Sequence, residues 1–401
     1  MRILSVTAQK PDSTGSGVYL TELVRGFDKL GCAQAVVCGT VPGDEILFPQ
    51  GVQVFPVCYS SRELPFPVCG MSDEMPYEST RYRDLTGKMT RQLMRAFRKT
   101  LSEAVEVFQP DVILCHHLYF LAALIRQMYP QIPVYGQCHG SDLRQLGTNA
   151  WQADWIKSEI RNLNGIFALH EAQKKQICSM FDLPENRVTV MGTGYNSDIF
   201  FIEEKAGESG EKRKTRFLFA GKISEKKGVY SLLRCLDQLR HPERVEVNLA
   251  GGCGSPEELE KFRGLGAAAP CTVNFLGKLD QRTLAKRMNE NDVFILPSFY
   301  EGLPLVLIEA MACGLKTICT DLPGIRPWLD KALPGNGTLF VEPPKMRNAD
   351  EPVASELPGF ELRLAKAMEA VAEMPLPDPK QVGRLSWTAL CDQFLTYWNE
   401  T

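Results

Sequence analysis

The chain has 401 residues, 44% of them hydrophobic and 23% charged, with a formal net charge of −3. That length accommodates two domains of about 100–200 residues each, and the composition supports two cores without disulfide or metal staples. The slightly acidic balance argues against the global basic excess of a nucleic-acid binder.

The opening MRILSVTAQ turns polar too quickly for a secretory leader and reads as a first strand, Arg2 to Val6. A loop with Gly15 and Gly17 follows. Val18, Leu20, Leu23, Val24, Phe27 and Leu30 then recur at helical spacing until Gly31, and Ala35 to Cys38 closes a βαβ unit. Further on, Lys88, Arg91, Arg95, Arg98 and Lys99 fall on one helical face, within about 100° of arc. Leu93, Phe97, Leu101 and Ala104 take the other side. A basic amphipathic helix of this kind meets either bulk water or an anionic surface, lipid or charged acceptor. Asp111 to Cys115 and Val134 to Gln137 read as buried strands. His116 and His117 follow the first and stay unassigned. His139, Gly140 and Asp142 follow the second; a histidine after a strand suits a structural hydrogen bond as well as chemistry.

Glu203 to Thr215 is charged, contains Gly207 and Gly210, and lacks apolar periodicity, which is linker composition. A second copy of the opening plan follows: a strand at Phe217 to Ala220, a loop from Gly221 to Gly228, a helix from Val229 to Leu239 and a strand at Val245 to Ala250. Two α/β domains, each with a parallel sheet, account for the repetition. Asn348 to Gly359 reads as a surface loop, and Thr388 to Trp398 as an amphipathic helix. The 13 cysteines form no C-x-x-C pair. Several, such as Cys115, Cys138 and Cys319, sit in apolar stretches as small hydrophobes, a usage that suits a reducing cytoplasm. No apolar run approaches the ~20 residues of a bilayer span.

The most informative stretch is Val293 to Gly314, VFILPSFYEGLPLVLIEAMACG. Val293 to Leu296 reads as a buried strand and Pro297 to Leu303 as a loop. Pro304 suits the first turn of a helix, and Gly314 suits its stop. Gly302 lets backbone approach a ligand closely. The N–H groups near Leu305 and Val306 would form an anion site at a helix N-terminus, beyond the C-terminal end of a parallel strand. Glu301 and Glu309 flank it. A glutamate inside the run Leu-Val-Leu-Ile-Glu-Ala-Met needs a partner; sugar hydroxyls serve, and so does a structural hydrogen bond. Lys222 and Lys227, in the glycine-bounded loop of the second copy, either reach phosphates or stay solvated.

Glu301 to Gly314 resembles the hallmark of the group 1 family of retaining glycosyltransferases (family four): a Glu, seven residues, then a second Glu, in a context like E-G-x-P-L-x-x-x-E-A-M-A-C-G. Gly221, Lys222, Lys227 and Gly228 match that family's G-R-x…K-G diphosphate motif, with Lys222 where the family usually has arginine. The exchange keeps the charge and loses bidentate geometry. Val273 to Asp280 resembles the family's nucleobase-side strand and loop, and Val245 to Gly254 resembles the preceding strand and glycine turn.

The resemblance implies the α/β GT-B fold, in which two Rossmann-like domains with parallel sheets face across an interdomain cleft. The final helix returns to the first domain, so residues 1–202 with 380–401 would bind acceptor and 203–379 the nucleotide sugar. It implies retaining transfer of a hexosyl group from a nucleoside-diphosphate sugar, UDP being the commonest carrier, to a hydroxyl acceptor. Cell-surface glycan, glycolipid or small-metabolite glycoside synthesis is the setting. No cofactor or metal is expected, since no Asp-x-Asp motif stands in a suitable loop.

His139, Glu301 and Lys227 would be the catalytic group. Lys222, Lys227, Glu301, Gly302, Leu303, Leu305, Val306 and Glu309 would hold the donor, with Gly17 in the first loop approaching it. Nucleic acid is not an expected partner. The protein is expected in the cytoplasm, with the basic helix around Lys88 to Lys99 as the point of contact if it works at the inner membrane face. A nucleotide-sugar epimerase or phosphorylase on the same fold, or a non-catalytic sugar-nucleotide-binding subunit, is the alternative.

Overall fold

The computed structural model describes residues 1–11, 13–73, 75–203, 214–348 and 351–400. The chain forms two compact units, Met1–Thr193 with Trp387–Thr401, and Gly194–Ser386. Most of the segment read as a linker, Glu203 to Thr215, lies outside the described residues.

The strands of the first unit are β1 (Arg2–Val6), β2 (Ala33–Thr40), β3 (Gln53–Cys58), β4 (Val68–Gly70), β5 (Ser79–Arg81), β6 (Val112–His116), β7 (Val134–Gln137), β8 (Gly165–Ala168) and β9 (Val188–Val190). Seven of them form a parallel sheet in the order β3-β2-β1-β6-β7-β8-β9, while β4 and β5 pair separately. The chain runs outward from β1 to β3, then crosses back to β6 and proceeds the other way. The reversal between β1 and β6 opens a crevice at the carboxyl ends of those two strands. Near-continuous apolar strands such as Val112–His116, buried throughout, are what a sheet covered on both faces requires.

Helix Gly87–Phe108 buries Leu93, Ala96, Phe97, Leu101, Ala104 and Phe108, and leaves the basic face exposed. The C-terminal helix, Trp387–Glu400, packs on the first helix. Trp398 stacks on Phe27 with ring centroids 5.6 Å apart, and Phe394 meets Phe167 edge-on at 4.8 Å.

The strands of the second unit are β10 (Thr215–Ala220), β11 (Val245–Ala250), β12 (Thr272–Gly277), β13 (Val293–Leu296), β14 (Lys316–Thr320) and β15 (Leu339–Val341). Their parallel order is β12-β11-β10-β13-β14-β15, which repeats the plan, with the reversal between β10 and β13. At the border of this unit the two chain passages run side by side: Tyr195 N–H donates to the Leu385 carbonyl at 3.1 Å.

Three local expectations need correction. Gly15 and Gly17 are not loop residues. The first helix starts at Gly15, because Thr14 caps it by accepting the Gly17 N–H at 3.1 Å. Pro304 is the N-cap of its helix rather than a first-turn residue, since its ψ of 104° is still extended. Leu357 to Gly359 opens a helix, Leu357–Ala370, instead of closing a loop; Pro358 sits where a missing N–H costs nothing. No helix among the described residues is long and apolar enough to cross a membrane.

Candidate functional site

In the second unit the informative loops follow β10 and β13, the two strands that flank the reversal. After β10, a short helical turn at Glu225–Lys227 ends at Gly228. The two loops are tied by backbone: Phe299 N–H donates to the Lys226 carbonyl at 3.0 Å. They approach so closely that a Cβ on Gly228 would lie 2.0 Å from the Pro297 carbonyl oxygen, and Gly228 has φ +69°. Only glycine fits both demands. This junction brings Lys227 to Glu301, with Nζ 2.6 Å from Oε1 and both side chains partly exposed. Lys222 takes another course. It is exposed, and its Nζ lies beside Gly254, in the turn after β11.

The loop continues through Gly302 and Leu303 into the helix Leu305–Ala312. Leu307 N–H closes the first turn on the Pro304 carbonyl at 3.1 Å. The N–H groups of Leu305 and Val306 precede any intrahelical acceptor and have no partner among the described residues. Two converging donors with the helix dipole behind them favour an anion. Glu309 lies one turn further on, buried at 9% exposure and engaged within the protein. The helix stops as expected at Gly314, whose φ of +80° lets Leu315 N–H reach the Ala310 carbonyl at 3.1 Å. Within Glu301's loop, the Ser298 hydroxyl is sealed from solvent without a partner among the described residues, a feature with no sequence signal.

In the first unit a ring cluster gathers beyond the carboxyl ends of β1, β6 and β7. Tyr19, from the helix after β1, meets His139 edge-on with centroids 5.1 Å apart. His116, the last residue of β6, stacks on His139 at 5.4 Å and an interplanar angle of 13°; its Nδ1 lies 3.2 Å from His139 Nε2. His117 follows with φ +78°, an uncommon conformation for a side-chain-bearing residue, and its ring centroid is 4.9 Å from that of His139. Asp142, fully buried, accepts the N–H groups of Leu118 at 2.8 Å and His139 at 3.3 Å, which holds the two post-strand loops together. Burial pushes the His116 ring down to about 3, helped by His117. Burial first, then the other two histidines, also lower His139. These rings are therefore neutral at pH 7. Trp387, from the returning helix, completes the cluster against Tyr19 at 4.9 Å.

The structure thus joins Lys227 with Glu301, and leads from Gly302 and Leu303 to Leu305, Val306 and Glu309 along one loop and helix. It sets Lys222 apart. His139 and Gly17 belong to the other unit, and the Gly17 amide is occupied by Thr14. Tyr19, His116 and Asp142 are residues to which a linear reading gives no role. Tyr19 falls between apolar helix positions, and His116 and Asp142 follow strands with nothing nearby in sequence to say what they meet. Among the described residues, no group of three His, Cys, Asp or Glu side chains is arranged to hold a metal ion. The cysteines are free thiols, most of them buried.

Two family models match the chain: Glycosyl transferases group 1 over residues 214–350, and Glycosyltransferase Family 4 over residues 13–199. An uncharacterised glycosyltransferase of Methanocaldococcus jannaschii is 27% identical over 54% of this chain and 58% of its own length. An alpha-maltose-1-phosphate synthase of Mycobacterium tuberculosis is 23% identical, with 98% of each chain aligned. A putative teichuronic acid biosynthesis glycosyltransferase of Bacillus subtilis is 24% identical over 82% of this chain and 84% of its own. Among solved structures, sucrose-phosphate synthase from Thermosynechococcus elongatus superposes with a TM-score of 0.66 at 16% identity, covering 100% of this chain and 98% of that one. Anabaena HepE in complex with UDP and glucose gives 0.63 at 13% identity, covering 100% of both chains.

Proposed function

The chain belongs to the group 1 family of glycosyltransferases and has the GT-B fold, and from that premise we propose that it is a retaining, metal-independent hexosyltransferase using a nucleoside-diphosphate sugar, UDP-linked in the first instance. The observation that carries the reading is the Lys227–Glu301 pair at 2.6 Å, in the loops that lead to the unbonded amides of Leu305 and Val306. An ammonium and two helix N–H groups suit a leaving diphosphate, and a carboxylate beside them suits sugar hydroxyls. The complex of Anabaena HepE with UDP and glucose supports the same class of donor.

In the reaction, the bond between the anomeric carbon and the diphosphate oxygen breaks while the acceptor oxygen bonds to that carbon on the same face. The acceptor proton passes to the departing diphosphate. Lys227 and the N–H groups of Gly302, Leu303, Leu305 and Val306 stabilise the negative charge as it develops, which is where fixed dipoles accelerate a reaction most. Lys222 adds charge at the rim. Glu309 accepts from the ribose hydroxyls, Glu301 from the donor sugar, and His139 stands beside the reacting centre. Gly17 is left as a neighbour through its backbone alone. The acceptor is a hydroxyl compound of cell-surface glycan, glycolipid or small-metabolite glycoside synthesis, met in the cytoplasm or at the inner membrane face.

The test is a panel of nucleotide sugars. The matching donor raises the melting temperature, by about 3 kcal/mol of stability at a hundredfold excess over Kd. Transfer then proceeds in EDTA with the donor's anomeric configuration kept in the product, read by NMR. A sugar isomer formed without acceptor would make the protein an epimerase. Binding without turnover on any acceptor would make it a binding subunit, and activity abolished by EDTA would overturn metal independence.

A further inference from the structure

The histidine pair of the first unit carries an inference about protons that the family likeness does not supply. His116 Nδ1 and His139 Nε2 are 3.2 Å apart, so one ring donates and the other accepts. The other nitrogen of His116, Nε2, is sealed from solvent and has no partner among the described residues. This fact separates the two arrangements. If His139 donated, the neutral His116 ring would carry its proton on the sealed Nε2, leaving a buried N–H unsatisfied. Orphaned buried N–H groups are rare, and each costs about 1–3 kcal/mol. If His116 donates, the sealed Nε2 holds only a lone pair. The His139 ring, accepting at Nε2, must then bear its proton on Nδ1. That atom has no partner among the described residues and is not sealed.

We infer that His116 is a positioning residue that locks His139 in the Nδ1–H tautomer, so that His139 meets its substrate as a hydrogen-bond donor to an oxygen, a sugar hydroxyl or a phosphate, and not as a base. This deepens the reading of His139 as a site residue and rests on it. The surroundings enforce the lock. Tyr19 edges onto the ring, Asp142 holds the His139 backbone, and the His117 ring lies tilted against that of His139 with centroids 4.9 Å apart. Burial opposes charging either ring, reinforced at His116 by His117 and at His139 by both other histidines, so the neutral pair persists at working pH. In water a free imidazole prefers no single tautomer so strongly. Preorganising a donor in this way spares the substrate that reorganisation.

The experiment is long-range proton–nitrogen NMR on the 15N-histidine-labelled full chain, which reads which ring nitrogen carries hydrogen. The wild type is expected to show His116 and His139 both protonated on Nδ1 and bare on Nε2. A spectrum with His139 protonated on Nε2 would overturn the inference outright. In His116→Leu the His139 signals are expected to move toward the Nε2–H form, with kcat/KM for sugar transfer falling about tenfold, the weight of one hydrogen bond. In His116→Asn, whose side-chain N–H stands near the place of Nδ1, both tautomer and rate are expected to be kept. Unchanged His139 signals in the folded leucine variant would also overturn it, and the wild-type spectrum decides if that variant fails to fold. The functional reading fails separately: His139→Ala transferring sugar at the wild-type rate would remove the site role and leave the tautomer assignment standing.

Discussion

The Lys227 ammonium lies 2.6 Å from the Glu301 carboxylate, although 74 residues separate them in the chain. The topology makes them neighbours. Each sits in the loop after one of the two strands at the sheet's reversal, β10 and β13, and the Phe299–Lys226 backbone bond fastens the loops together. A diphosphate arriving at the helix N-terminus would share Lys227 with Glu301. The ion pair is then a preset cation rather than a stabilising strut; partly exposed pairs contribute about 0–1 kcal/mol to folding.

From this relationship, Lys227→Ala is expected to leave the melting temperature nearly unchanged while lowering kcat for transfer by about 10²-fold. Glu309→Ala is expected to raise the donor Kd about tenfold, as loss of hydrogen bonds to a charged acceptor does. Steady-state kinetics and calorimetry with the matching donor check both. Near-normal transfer by the two variants would defeat the roles assigned to them.

The buried histidines make stability pH-dependent. Unfolded, each ring takes up a proton near pH 6.5. Folded, His116 does so only at about 3, and His117 and His139 are lowered as well. Between those values the unfolded chain binds more protons, so stability stands in full above about pH 6.5 and is lost as pH falls toward 3. One ring contributes a slope of about 1.4 kcal/mol per pH unit inside that window. His116→Asn is therefore expected to lose about 2 kcal/mol less than the wild type between pH 6.5 and pH 5, measured by urea unfolding. Equal losses in the two proteins would show that His116 does not titrate this way.

The loop junction predicts a sharp contrast between two glycines. Gly228→Ala meets the Pro297 carbonyl at 2.0 Å and keeps a φ of +69°, and it is expected to destabilise the fold by more than about 2 kcal/mol. Gly264, inside the helix Pro256–Ala268, has open space where a methyl group would go. Gly264→Ala is expected to stabilise by about 0.5–1 kcal/mol. Scanning calorimetry reads both, and a neutral Gly228→Ala would mean that the two loops separate easily.

The exposed basic face of Gly87–Phe108 is only lightly engaged by the protein: Arg98 donates to Gln127 at 3.0 Å, and Lys99 lies 3.9 Å from Glu63. If it meets an anionic membrane, each cation contributes about 1 kcal/mol. Arg91→Gln with Arg95→Gln is then expected to lower partitioning onto phosphatidylglycerol vesicles about thirtyfold in a sedimentation assay. Failure of the wild type to sediment with those vesicles would assign the face to solvent.

Much of this protein is legible in its sequence, because local order and short-range pattern carry it. Apolar strands, the two β–loop–helix openings, the stop at Gly314 and the run from Glu301 to Glu309 all depend on neighbours within a few residues. So does the outward basic face of helix Gly87–Phe108, which follows from 3.6-residue spacing alone. Thr14 and Pro304 mark the limit of that reading. Each cap turns on one backbone angle or one hydrogen bond, and shifts an element by a residue or more.

What only the tertiary structure decided is pairing across distance. The order of strands brings Lys227 to Glu301, sends Lys222 to Gly254 and sets His116 against His139. Sequence spacing holds no record of these meetings, since they follow from which strands lie side by side. The proton's place on a buried ring depends further on an atom that has no partner among the described residues, a property that exists only once the chain has closed around it.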